Sequence, residues 1–496
     1  MKLAYVSRER YIYRFMTNTP FFASWRGWFH RRPSRDLHAT HRDLRRCTLD
    51  KLEERLGPLL AGLAALAPAN ASPRERPYSV RRTWWCFLWQ MLQCNASCRR
   101  VVQQLQAMLV LEGRPAVDDG TSAYCQARLR LPEPVLVAAL HVSAQAADHR
   151  VAPTPALQGR VVKVLDATMV TLPDTPENQA RYPQPTSQKP GCGFPLLHLL
   201  VVWSGRSGAV LDHATGNYHD GEMRLLHQLA ATLVAKDIVI YDRAAGHYVA
   251  CARLPAGGVD LISRVSKRKI DWRQGQRIGP DERLVVWKKT RQKPPYLSAE
   301  EWDSLPAEIT VRVIRRRLKQ SGFRTRELVL VTTLLDPTAY PAEEIAAAYL
   351  RRWRLEMCLD DLKTTLGLDA LRCQSPAMVQ RELLTLLIAH NLVRAVMAEA
   401  AREHTVPLER VSFTGTLDAL RSFCAASAQA TRPTLRRLLW AQLLRSLAAD
   451  LVPLRPDRWE PRAVKRRPKN YPKLNRPRHD YREIRHGSRY RRPAKT

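Results

Sequence analysis

Tyr349, Arg352, Glu356 and Lys363 stand at offsets 0, 3, 7 and 14 in the run Tyr-Leu-Arg-Arg-Trp-Arg-Leu-Glu-Met-Cys-Leu-Asp-Asp-Leu-Lys. At about 100° per residue of α-helix these offsets project to about 0°, −60°, −20° and −40°. One narrow stripe therefore carries a phenol, a guanidinium, a carboxylate and an ammonium. A stripe facing a core would be apolar. This one has the side chains to hold a metal ion through Glu356 and to grip phosphate through its cations. Asp360, at about +20° on the same face, is a competing carboxylate, with a solvated helix residue as its plainer reading.

The spacing Y-x2-R-x3-E-x6-K resembles the signature of the insertion-sequence-four family of bacterial DDE transposases, and all four positions match. The resemblance spans about residues 50 to 480 and is strongest over 160–265 and 340–395. It implies two further carboxylates. Asp166, in Lys-Val-Leu-Asp-Ala-Thr, and Asp242, in Ile-Val-Ile-Tyr-Asp-Arg, each follow a short apolar run that reads as a buried strand. The implied catalytic and metal-binding triad is Asp166, Asp242 and Glu356, holding two Mg²⁺ ions for which Mn²⁺ can substitute. Asp166 would bridge both ions, and Asp242 and Glu356 would each take one. Tyr349, Arg352, Lys363 and Arg264, the last at the end of a strand, would contact DNA.

The segment Gly216-Asn-Tyr-His-Asp-Gly-Glu also resembles the family and would place His219 and Glu222 beside the site, although each alone reads as structural. Trp272, Trp287 and Trp302 are candidates for stacking on a base, with core packing as the plainer reading of each. One departure stands out: the chain has Asp242-Arg-Ala-Ala-Gly where the family has Asp-Arg-Gly-Phe, so a differently shaped turn is expected after Asp242.

Elements must hold these residues in place. Strand-like runs at 162–172, 196–204, 208–213, 238–242 and 259–265, with a helix over about 221–233, give a β-β-β-α-β-α-β order. The expected fold class is therefore α/β: an RNase H-like mixed sheet with helices. A β-rich insertion interrupts it, an all-helical N-terminal DNA-binding domain precedes it, and a helical segment and basic tail follow. The boundaries read as 1–75, an arm and helix; 76–150, the helical domain; 160–265, the first part of the core; 266–335, the insertion; 336–400, the second part of the core; 401–454, a helical region; and 455–496, the tail.

In the helical domain three helices are expected, over about 81–92, from Ser97 to about 108, and from Thr121 or Ser122 until Pro132 stops the third. Gln126, Arg128 and Arg130 on the third suit a helix-turn-helix-like module with Arg128 and Arg130 on DNA. A plain bundle with a basic edge is the alternative.

Charge narrows the partner. Lys and Arg number 80 against 46 Asp and Glu, a net charge of +34, which calls for a polyanion. The insertion carries a net +9 and the tail a net +12, the latter with six prolines and few aliphatics, as in a solvated tail attracted to DNA. The longest uncharged candidate span, 84–98, contains Gln90, Gln93 and Asn95 and is too short to cross a bilayer, so no membrane is expected. The 10 cysteines show no C-x2-C pair; reduced thiols are expected, and Cys94 and Cys98 lack the second ligand pair that zinc needs.

Together these imply a cytoplasmic, nucleoid-associated DNA transposase. It would cut at the terminal inverted repeats of an insertion sequence and join the 3′-OH ends to target DNA by two-metal phosphoryl transfer, as a homodimer in a synaptic complex. The rivals are an RNase H-like endonuclease without strand transfer and a catalytically idle DNA-binding relative.

Overall fold

The computed structural model describes residues 77–453, except 95, 112, 267–269, 318–326 and 431, together with Pro477. The expected arm at 1–75 and nearly all of the tail at 455–496 lie outside the described residues.

Asp166 interrupts the apolar run Val-Lys-Val-Leu-Asp-Ala-Thr-Met-Val-Thr, which forms β1 (Val162–Thr171). β2 (Leu196–Ser204) is apolar at almost every position and buried along almost its whole length, as befits a strand covered on both faces. It pairs antiparallel with β1 and with β3 (Val210–Asn217). On its other edge β1 runs parallel to β4 (Ile238–Tyr241), and β4 runs parallel to β5 (Asp260–Arg264).

The strands of 266–335 are not set apart. β6 (Gln276–Gly279), β7 (Glu282–Lys288), β8 (Glu308–Arg317) and β9 (Glu327–Thr332) form an antiparallel meander, and β9 returns alongside β5. The described sheet is therefore continuous, in the order β3-β2-β1-β4-β5-β9-β8-β7-β6. Arg312 fastens the extension. It is fully buried in β8, donates through Nε to Glu282 of β7 at 2.9 Å, and donates through Nη1 to the Tyr340 carbonyl at 2.7 Å.

Before β1 come α1 (Val80–Leu92), α2 (Cys98–Leu111), α3 (Ser122–Leu129) and α4 (Glu133–Asp148). The Ser97 hydroxyl accepts from the Arg100 amide and so caps α2. Pro132 is expected from the sequence to end α3, with no helix expected directly after it. Pro132 in fact also sits at the N-cap of α4, because a proline at a helix start loses no hydrogen bond that the helix would have used.

Further along are α5 (Pro176–Arg181) between β1 and β2, α6 (Glu222–Gln228) and α7 (Tyr248–Ala256) on either side of β4, and α8 (Ala299–Asp303) within the meander. After β9 follow α9 (Ala342–Asp360), α10 (Pro376–Glu403), α11 (Phe413–Gln429) and α12 (Pro433–Ala449). Helix α10 is long and apolar enough to cross a membrane, a property the sequence reading gave to no segment. Its apolar window is 94% buried inside the fold, packed on α1 and α4, and it is the central core helix.

Side chains alternate across a sheet, and here the two faces feed separate cores. Val164, Val201, Trp203, Ile238 and Ile240 pack with α9 and α10, whereas Leu165, Leu200, Val202, Val239 and Tyr241 pack with α6 and α7.

Candidate active site

Parity decides where the aspartates point. Asp166 shares its side of β1 with Val164 and Val170, and Asp242 continues the side of Ile238 and Ile240, so both face α9. Register then brings them together. Val162 pairs with Ile238 and Val164 with Ile240, and the same offset carries Asp166 to Asp242, one residue past the end of β4. Adjacent strands are about 4.8 Å apart, so the two carboxylates project from neighbouring positions.

The turn that follows holds Asp242 from both sides. Its carboxylate accepts from the Ala244 amide at 2.7 Å, and its carbonyl accepts from the Ser263 hydroxyl of β5 at 2.5 Å. A Cβ on Gly246 would lie 2.5 Å from the Arg264 carbonyl, so only glycine allows this turn to lie against the end of β5. Residues 243–245 thus make one tight 3₁₀ turn, with Arg243 exposed.

Across the site, α9 brings the remaining groups. Tyr349 and Arg352 are buried, whereas Glu356 and Asp360 are exposed. Arg352 lies between two carboxylates, with Nη2 donating to Glu356 Oε1 at 2.7 Å and Nη1 lying 3.9 Å from Asp166 Oδ1. Its charged group also sits over the Tyr349 ring at 5.7 Å. Burial pushes the Asp166 carboxyl up to about 6; Arg352 opposes this, while Glu356 and Asp242 add to it. The three carboxylates therefore share one electrostatic neighbourhood.

Among the described residues no three acidic, imidazole or thiol groups converge closely enough to enclose an ion. A cation nevertheless stands among them, the Arg352 guanidinium. The donor set of carboxylate oxygens suits a hard divalent ion, and Arg352 stands in for that charge.

Two expectations about α9 need correction. Tyr349 is 2% exposed and lies beneath Arg352, so it supports that side chain and presents no phenol to DNA. The stripe also assumed one α-helix through Lys363. The α-helix ends at Asp360 and Asp361–Thr365 forms a π turn, whose wider winding advances each residue through a smaller angle and so turns half-buried Lys363 part of the way around the axis from Glu356 toward the side of Arg352. Arg264, half-buried at the end of β5, lies close enough to Tyr349 to act on its phenol electrostatically.

Arg128 is also corrected. It lies one turn after the fully buried Tyr124 and shares its inward face, so it is 6% exposed, with the rings of Phe87 and Tyr124 each 5.0 Å from its charged group. It cannot reach DNA from there. Arg130, at the end of α3, is exposed. Cys94 and Cys98 diverge: the Cys94 thiol donates to the Thr365 carbonyl, and Cys98 faces Cys125.

His219 is an exposed surface residue, and the Glu222 carboxylate accepts from the Tyr241 hydroxyl at 2.7 Å on the α6 and α7 face of the sheet. The three tryptophans are half-buried. Trp272 lies under Arg315 and Trp302 under Lys289, while Trp287 packs between two apolar clusters. Sequence reasoning missed the buried Arg312, which carries no local signal because its partners are Glu282 and the carbonyl of Tyr340.

Residues 157–392 match the family model described as "Transposase DDE domain". The chain is 26% identical over 449 residues to the transposase InsG for insertion sequence element IS4 of Escherichia coli (strain K12), covering 88% of this chain and 96% of that one. It is 25% identical over 280 residues to the transposase for insertion sequence element IS421 of Escherichia coli, covering 51% and 70%. Among solved structures, a piggyBac transposase synaptic complex with hairpin DNA aligns over 83% of this chain and 85% of that one, at 9% identity and a TM-score of 0.38.

Proposed function

From the premise that this chain is a DDE transposase of the insertion-sequence-four kind, we propose that it cuts at the terminal inverted repeats of its element and joins the freed 3′-OH ends to target DNA. The β3-β2-β1-β4-β5 arrangement, with two antiparallel and two parallel pairings, is read as an RNase H-like core. Residues 76–150 are its helical partner, 266–335 its basic β extension and 401–454 its C-terminal helical region. The observation that carries the active-site assignment is the meeting of Asp166 and Asp242, side by side on β1 and after β4, with Arg352 and Glu356 of α9.

Asp166, Asp242 and Glu356 are the residues that would hold divalent metal, Mg²⁺ or Mn²⁺. Two such ions, when bound, lower the pKa of the attacking water or 3′-hydroxyl and stabilise the departing oxygen. The chain's own groups do the rest. Asp242 is held by its capping bond to Ala244 and Glu356 reaches in from the exposed edge of α9, so the ligands come from the sheet and from a helix that share one core. Arg352, now donating to Glu356, has the planar donors that would suit a phosphate oxygen, with Tyr349 as its platform. Arg264, Lys363 and exposed Arg130 add positive charge for the DNA backbone. Holding two ends at once calls for a homodimer, and action on chromosomal DNA in a bacterium places it in the cytoplasm.

The test incubates the purified protein with labelled DNA bearing the element's ends and Mg²⁺, beside Glu356→Gln. End cleavage and joining should fall by about 10³-fold or more in the variant while DNA binding is retained. Nicking with no preference for the ends would instead favour a general endonuclease, and binding without nicking by the wild type an idle relative.

A further inference from the structure

Arg128 poses a question that the reaction does not answer. A buried guanidinium needs an anion nearby, and among the described residues those that act on this one are Tyr124 and three cysteines. Its contacts are three sulfurs: Nη2 lies 3.4 Å from Cys98 Sγ and 3.4 Å from Cys125 Sγ, and Nη1 lies 4.0 Å from Cys373 Sγ. Its Nε has no partner. Glu382, the acid beyond Cys373, is held by the backbone amides of Arg372 and Cys373.

Cys98 and Cys125 are also close to each other. Their sulfurs are 3.9 Å apart, and both residues are half-exposed, whereas Cys86, Cys251, Cys358 and Cys373 are buried. Cys98 is the first residue of the 14-residue α2, and Gln90 Nε2 points at it from 3.8 Å; its hydrogen bond with Cys125 and its burial keep it the protonated partner of the pair. Cys125 shares a hydrogen bond with Cys98 and accepts one from Arg128, and both contacts favour its ionised form.

We propose that Cys98 and Cys125 share one negative charge that balances Arg128, and that this pair is an oxidation site which a hydroperoxide converts to a disulfide joining α2 to α3. The thiolate attacks a peroxide oxygen, so an S–O bond forms as O–O breaks, and the hydroxide released takes the neighbouring thiol's proton to become water. The second sulfur, now ionised, attacks the sulfenic sulfur; S–S forms, S–O breaks, and the departing hydroxide gains a proton from solvent. Two electrons pass from the sulfurs to the peroxide. The sulfurs need to approach by on the order of 2 Å to reach bonding distance, which side-chain rotation on two helices can supply.

The test treats the full-length protein with hydrogen peroxide, blocks remaining thiols, and maps cysteines by digestion and fragmentation mass spectrometry, with half-exposed Cys192 as internal control. A Cys98–Cys125 disulfide should form about tenfold faster than Cys192 oxidises and reverse with dithiothreitol. In Cys98→Ser the Cys125 sulfenic acid should persist and be captured by dimedone. Arg128→Gln should slow the linkage about tenfold. Cys98→Ser keeps the test valid should Arg128→Gln fail to fold. Oxidation of the pair no faster than Cys192, or a disulfide of either with Cys94 in place of the other, overturns the proposal.

Discussion

Arg352 is the residue whose position sets the chemistry of the site. It is buried, rests on Tyr349, and answers the charge of Glu356 at 2.7 Å while lying 3.9 Å from Asp166. On the proposed assignment, a divalent ion would compete with that guanidinium for the same oxygens. Arg352→Gln is therefore expected to bind Mn²⁺ about threefold to tenfold more tightly by titration calorimetry, while losing end cleavage. The comparison belongs at pH 8, because Asp166 is protonated below about 6 and loses the opposing influence of Arg352 in the variant. Unchanged Mn²⁺ affinity would mean that Arg352 does not occupy the metal's place. The stripe on α9 was legible in the sequence as a pattern of residue types. Its division into a buried Tyr349 and Arg352 and an exposed Glu356 was not, because periodicity gives the direction of a side chain and not what the sheet presents opposite.

Elements hold this site by long-range fastening. Arg312, fully buried in β8, joins β7 through Glu282 to the approach of α9 through the Tyr340 carbonyl. Removing one partner of such a pair strands the other, so Arg312→Met should cost about 3 kcal/mol in guanidinium unfolding, and the double variant with Glu282→Met should recover part of it. An unchanged midpoint in the single variant would show that the extension holds by backbone pairing alone. The core strands were readable because each is a short apolar run ended by turn residues. The expected strand at 208–213 lies at Val210–Asn217 and the others agree within about two residues. The π turn at Asp361–Thr365 was not readable, since its residues have no composition that separates them from an α-helix.

Among the described residues the larger core is built around α10, which packs against α1, α3, α4, α11, α12 and β3. His390 lies on it between Trp203, with ring centres 5.4 Å apart, and Phe413, at 5.2 Å, and neither ring nitrogen has a partner. Burial and the nearby Arg394 push its pKa down to about 3. The folded value lies below that of the unfolded chain, so the unfolded chain binds the extra proton first. The stability is complete above about pH 6.5 and is lost as pH falls, by about 2 kcal/mol at pH 5. His390→Leu should remove this share of the acid loss in melting curves at pH 7.5 and 5. An equal fall in Tm for variant and wild type would mean that His390 is not held neutral.

The sequence by itself determined the strands, the apolar runs that carry Asp166 and precede Asp242, the acid and bases of α9 and the basic excess that calls for nucleic acid, because period and charge are local properties of the chain. Tertiary structure alone decided which of those charges are available. Arg128, read from the sequence as a DNA contact, is enclosed by Phe87, Tyr124 and cysteines brought from α2 and from beyond α9, and Arg352 meets Asp166 only because β1 and α9 pack across 186 residues of chain. A charged side chain at a helical position reads as solvated until its partners, distant in sequence, are folded against it.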